Sequence, residues 1–256
     1  MLVHIGGQCG INMKKYKISF CTSCTGRLYH LKETFLSNLN NNIDYGEVEF
    51  VLLNWNSRDG MNDWVQQNLG EYINDGVVKY LHTKQAPHFE MARTKNVTAK
   101  NASGEIVCWV DGDNFISENY AEYLNEKFNE NENIILNNIR RVNKGNPASS
   151  NWGRIAIMKK YFMEVRGYDE TFQGWGWEER DFAKRIRKHL NLMDVKFEKH
   201  DAKFIEHEST FHRPKRSNLT NRGRSDDNMN NKRYVVNQDI DFGSIGDLKM
   251  MGGRNW

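Results

Sequence analysis

The chain has 256 residues, enough for one well-buried domain and short for two. Its 38% hydrophobic and 27% charged residues are those of an ordinary soluble protein, and no apolar run approaches the ~20 residues needed to span a bilayer. A net charge of +3 is too small to argue for nucleic-acid binding by itself.

Residues 1–12 lack the charged and apolar regions of a signal peptide. The run Met13-Lys14-Lys15-Tyr16-Lys17 is a more natural chain start, so 1–13 are expected to form an unstructured extension. Residues 17–21 read as a strand and 28–40 as an amphipathic helix. Cys21 and Cys24 have redox-motif spacing, but Cys21 ends that strand and no second pair completes a zinc site. With Cys9 and Cys108 they make no disulfide framework in a chain this long, and a reducing cytoplasm is expected.

Residues 48–54 form a second strand, 61–73 a helix, 77–81 a short strand, and 88–101 a segment of helical spacing. Residues 106–110 are a strand. These β and α units predict a mostly parallel sheet with helices on both faces. Beyond it, Ser117 is placed to cap a helix running to Phe128, and 134–139 is a strand. Residues 140–151 are a polar loop, 153–158 a strand and 159–166 a short helix. A charged helix follows at 177–189, then one or two strands within 195–207. Residues 209–231 are basic, Asn-rich and nearly free of apolar side chains, which reads as a mobile surface segment.

Three places carry chemistry. The strand 106–110 runs into Asp111-Gly112-Asp113, which puts paired carboxylates at the open edge of a sheet, where α/β proteins bind ligands. Carboxylates this close repel unless a cation lies between them or one is protonated; hard oxygen ligands suit Mg²⁺ or Mn²⁺, which also bind diphosphate. The second place is Gly174-Trp175-Gly176-Trp177-Glu178-Glu179-Arg180-Asp181. Its glycines allow a flexible loop with an exposed indole. Glu178 and Asp181 share one helix face while Glu179 points elsewhere. The third is Phe204-Ile205-Glu206-His207, with His207 a candidate metal ligand and His212 its competitor.

Together these resemble the nucleotide-sugar glycosyltransferases of the GT-A type. The pattern appears in order as Ala92-Arg93-Thr94-Lys95-Asn96, Asp111-Gly112-Asp113, Trp175-Gly176-Trp177-Glu178-Glu179-Arg180-Asp181 and His207. The second half is similar to the catalytic region of β-1,4-galactosyltransferases. The resemblance implies a single Rossmann-like GT-A domain over 14–234. It divides into a nucleotide-binding half (14–115), an acceptor-binding half (116–208) and a lid with the basic segment (209–234), and 235–256 is left as a tail. It also implies roles. Asp113 and His207 bind Mn²⁺ or Mg²⁺, and Asp111 touches the ribose or the metal through water. Thr22, Ser23, Arg27 and Asn54 lie where the family holds the nucleotide, and Arg93 where it faces the diphosphate and sugar. Trp175 stacks near donor and acceptor. Glu179 is the base of an inverting transfer, and Glu178 and Asp181 hold sugar hydroxyls.

The chain departs from the pattern at three positions. Glu179 stands where Asp is usual, Phe204 where the galactosyltransferases carry a Met ligand, and Asn54-Trp55-Asn56 where an Asp is usual. The expected activity is transfer from a UDP-sugar to an acceptor hydroxyl, on a glycan or on a hydroxymethylated base in DNA. A module that binds a nucleotide sugar or glycan without turnover is the reading of another class.

Overall fold

The computed structural model describes residues 13–84, 86, 88–137, 153–197, 203–205 and 215–251. Its first half alternates as the periodicity predicts: β1 (Ile18–Cys24), α1 (Leu28–Asn40), β2 (Val48–Trp55), α2 (Met61–Asn74), β3 (Val78–Thr83), α3 (Met91–Asn101) and β4 (Ile106–Trp109). Then come α4 (Tyr120–Glu130), β5 (Ile134–Asn137), β6 (Ile155–Met158), α5 (Lys159–Glu164), α6 (Glu178–Leu190), β7 (Met193–Val195), α7 (Lys215–Asn230) and β8 (Lys249–Met251). The strands form one mixed sheet in the order β7-β5-β6-β4-β1-β2-β3-β8.

β3, β2, β1 and β4 are parallel neighbours. β6 lies antiparallel to β4 and β8 antiparallel to β3. Side chains in the parallel strands point alternately to two buried faces, which explains their nearly continuous apolar runs. In β2, Phe50 and Leu52 meet α1, α2 and α4, while Val51, Leu53 and Trp55 join the layer of α3, α5 and α6. No helix among the described residues is long and apolar enough to cross a membrane.

Polar side chains from distant loops fix the helix starts. The Leu28 amide donates to Asp59 Oδ2 at 2.8 Å, and the Ala121 amide to Asn42 Oδ1 at 2.8 Å. Asn42 also donates to the Ser117 carbonyl at 3.2 Å, so α4 starts at Tyr120 rather than at a Ser117 cap. β1 continues past Cys21 because hydrogen bonding to β2 carries the polar residues Thr22 and Ser23. Burial pushes the Cys21 thiol well up and the Cys24 thiol up to about 12, so neither is a poised redox thiol.

Two expectations are corrected. The Asn-rich stretch contains the 16-residue helix α7, in which Asn221, Ser225 and Asn228 are buried. Asn221 and Asn228 hold it through hydrogen bonds, which hydrophobic patterning misses. The tail is also integrated: Val236 and Phe242 are buried, the Asp247 carboxylate accepts from the Lys84 amide at 2.7 Å, and β8 extends the sheet. Residues 1–12, the expected loop at 140–151, and both Glu206-His207 and His212 lie outside the described residues.

One buried carboxylate gives the fold a pH dependence. Glu49 in β2 accepts from Ser19 Oγ and Ser103 Oγ, each at 2.6 Å, with Lys79 Nζ at 3.6 Å. Burial pushes its carboxyl up, but these hydrogen bonds and Lys79 more than offset that and hold it below the usual range. Glu49→Gln is expected to cost about 1–3 kcal/mol at neutral pH. Glu49 has a folded pKa below its unfolded value, so its stabilisation is fully present above the unfolded value and is lost as pH falls through the folded one. The gap in melting temperature between the two proteins should therefore close in acid. A gap that persists unchanged overturns this account.

Candidate active site

The parallel strands end at one edge of the sheet, and the chemistry-bearing residues collect there. Thr22 Oγ1 donates to the Val110 carbonyl at 2.8 Å, joining the ends of β1 and β4. Ser23 Oγ donates to Thr94 Oγ1 at 3.1 Å, joining β1 to α3. Asn54, buried at the end of β2, donates to Tyr80 Oη at 2.9 Å and accepts from the Ser57 amide at 2.8 Å. Arg27 precedes α1, and its carbonyl accepts from the amides of its first turn.

The Asp-Gly-Asp turn follows β4. The Asn114 amide donates to the Asp111 carbonyl at 2.9 Å, which closes the turn. The Asp113 carbonyl accepts from the Ile205 amide at 2.8 Å, and Asn114 bridges Phe204. The segment 203–205 is thereby stitched to the turn that carries the aspartates.

Asp111 packs against the backbone of Gly153: a Cβ there would lie 2.0 Å from Asp111 Oδ2, so no larger residue fits. The Asp111 carboxyl is raised to about 6, by burial first and then by Asp113 and Glu179, against the opposing pull of Lys95 and Arg154. Two hard carboxylates at the end of a buried strand form a fitting donor set for Mg²⁺ or Mn²⁺. Among the described residues no three metal-ligating side chains converge, and the third candidate ligand is one of the histidines beyond them.

The central contact is one that the sequence does not announce. Lys95 Nζ donates to Glu179 Oε1 at 2.7 Å and to the Gly153 carbonyl at 3.2 Å, and only 3% of its side chain is exposed. Burial pulls the Lys95 ammonium down, but Glu179, Tyr168, Asp111 and Glu178 overcome that and hold it above its ordinary value. On α3, Lys95 follows Ala92 and precedes Ala99 on the apolar face. A lysine on the buried stripe of a helix requires a carboxylate partner, and that is the signal it offers.

The structure separates the acidic residues at the start of α6. Glu179 faces Lys95 and keeps 14% of its side chain exposed. Glu178 is 2% exposed, its Oε1 meets no hydrogen-bond partner, and burial followed by the charge of Glu179 pushes its carboxyl well up. Asp181 is not brought to this group. It forms a buried pair with Arg185 at 2.6 Å and accepts from Asn228 of α7 at 3.2 Å. Its carboxylate braces α6 because helical geometry turns it toward the core.

Trp175 is half-buried between Gly174 and Gly176, both at positive φ (63° and 111°), and the Gly174 carbonyl accepts from the Met91 amide at 2.9 Å. The tryptophan loop is thus tied to the start of α3. Arg93 donates to the Ser244 carbonyl at 2.9 Å and lies 3.8 Å from Glu170.

Residues 19–190, well over half of the chain, match the sequence model described as glycosyl transferase family 2. No curated protein sequence matches the chain. Several solved structures share its fold. S. aureus TarS 1-349 superposes with TM-score 0.57 at 18% identity, over 72% of this chain and 58% of its own. The mannosyltransferase PcManGT from Pyrobaculum calidifontis gives 0.60 at 14%, over 78% and 59%. GalNAc-T7 gives 0.53 at 16%, over 67% and 40%. The chain thus spans less than three fifths of the length of these structures.

Proposed function

This chain belongs to glycosyl transferase family 2, and from that premise we propose that it moves a sugar from a UDP-sugar to an acceptor hydroxyl, with a divalent cation and inversion of configuration. The observation that carries the reading is the meeting of Glu179, Lys95 and Asp111 at the open edge of the sheet, joined through Gly153. A solvent-touching carboxylate backed by a buried ammonium suits a general base; a module that only binds needs no such pair. The fold neighbours lend support: PcManGT was solved with GDP-Man and Mn²⁺, GalNAc-T7 with UDP, GalNAc and Mn²⁺, and TarS with UDP.

In this reading Asp111, Asp113 and His207 hold Mn²⁺ or Mg²⁺. The bound cation supplies positive charge to the leaving diphosphate. Thr22, Ser23, Arg27, Asn54 and Arg93 surround the nucleotide sugar, and Trp175 stacks beside it. Glu179 takes the acceptor proton as that oxygen attacks the anomeric carbon from the face opposite the diphosphate. Glu178, next to it on α6, holds a sugar hydroxyl. Asp181 serves the site only by holding α6 in place. The free, buried thiols of Cys21, Cys24 and Cys108 fit a cytoplasmic location.

Screening UDP-sugars for hydrolysis in Mn²⁺ tests the reading. Turnover is expected with one donor, and it should be abolished by EDTA and by Asp113→Ala. Full activity in EDTA ends the metal assignment. Tight UDP binding with no turnover of any donor leaves a binding module instead.

A further inference from the structure

Three cations gather around one indole beside the proposed base. Trp177 precedes α6 in a left-handed conformation with φ 74°, a strained placement for a residue other than glycine. Around its ring centroid lie the Arg180 guanidinium at 5.0 Å, the Lys184 ammonium at 5.6 Å and the Arg222 guanidinium at 5.6 Å. Arg180 and Lys184 share one face of α6 with Trp177, and Arg222 arrives from α7. Its neighbour Asn221 is fully buried and fixes that approach. The Asn221 amide donates to the Gln173 and Gly176 carbonyls, each at 3.0 Å, and its oxygen accepts from the Gln173 amide at 3.1 Å.

Among the described residues, a carboxylate also approaches this cluster. Asp226 lies 3.9 Å from both Lys184 and Arg222, and it is half exposed. Glu179, next in the chain to Arg180, already faces Lys95. Each cation gains from the ring, and their convergence on one indole makes the patch attractive to an anion. Arg180 directly follows Glu179 in α6, so this patch adjoins the proposed base.

We propose that Trp177, Arg180, Lys184 and Arg222 form an acceptor subsite for an anionic group, phosphate or carboxylate, carried by a glycan next to its reactive hydroxyl. This rests on the transferase reading above. The cations converge on one ring instead of forming a stripe. That geometry fits a single anion on a saccharide rather than the closely spaced phosphates of a DNA duplex.

The test is calorimetric binding to the full chain with UDP and Mn²⁺ present. The probes are maltotetraose, maltotetraose with one 6-phosphate, maltotetraose with one residue oxidised to a uronic acid, and a short DNA duplex. The phosphate or the uronate should raise affinity about tenfold over the neutral sugar, and the stronger of the two names the anion. The gain should vanish in the double variant Arg180→Gln, Arg222→Gln. For the wild type it should also shrink as salt rises from about 0.05 to 0.2 M, a readout that does not depend on the variant folding. Equal affinity for neutral and charged sugars overturns the proposal, as does DNA binding tighter than either charged sugar. Anion binding without hydrolysis of any donor would remove the transferase reading and leave the subsite standing.

Discussion

Glu179→Gln is expected to slow sugar transfer by roughly 10²–10⁴-fold while leaving UDP-sugar affinity little changed. The substitution keeps the shape of the side chain, and its amide oxygen can still accept from Lys95. It removes only the ability to take a proton. The neighbouring carboxylates provide the contrast. Glu178→Gln should weaken sugar binding together with rate, because it exchanges the carboxyl assigned to hold a sugar hydroxyl. Asp181→Asn should act mainly on stability, since its partner is the buried Arg185 at 2.6 Å. Donor affinity by calorimetry, transfer rate and melting temperature on the three variants separate these roles. Near wild-type transfer by Glu179→Gln with a dead Glu178→Gln would move the base to Glu178.

Lys95→Met should be the most destabilising single change in the site. It leaves the carboxylates of Glu179, Glu178 and Asp111 crowded together without their shared ammonium. Removing one partner of a buried ion pair costs about 3–5 kcal/mol, a fall in melting temperature on the order of 10 °C for a chain of this size. Lys95→Arg, which retains the charge, should recover part of that loss. Transfer should fall with Lys95→Met even where the variant remains folded, because Glu179 loses the group that orients it. A melting temperature within about 2 °C of wild type would show that Lys95 is dispensable and that the pair contributes nothing net.

The parallel half of the sheet was legible because its signal is apolar and periodic. Val51 and Leu53 alternate with Phe50 and Leu52, and both sets are buried. The Asp111–Asp113 turn was legible because an apolar strand that runs into Asp-Gly-Asp marks its own end. α7 was illegible for a definable reason. Asn221, Ser225 and Asn228 recur at helical spacing, but hydropathy assigns all three to solvent. Asn228 donates to Asp169 at 2.9 Å and to Asp181 at 3.2 Å, a partnership visible only once three distant segments are assembled. Lys95 was hidden differently. Its charge assigns it to solvent, although its place on the helix face of Ala92 and Ala99 made it a core residue. The segment after 235 holds on through a few separated anchors, Val236, Phe242 and Asp247, too sparse to form a pattern.

The two strands that bound the sheet, β7 and β8, are its shortest, with three residues each. An unpaired sheet margin is a template on which another chain can add a strand, and long flat margins invite fibrous or disordered association. Here each margin offers barely one repeat of hydrogen bonds, and each carries a charge, Asp194 in β7 and Lys249 in β8. β8 also covers the longer β3, which would otherwise present six residues of open backbone. A version of the chain cut before Lys249 would keep every residue proposed for the reaction yet expose that backbone, and its weakness would be self-association in solution rather than lost chemistry.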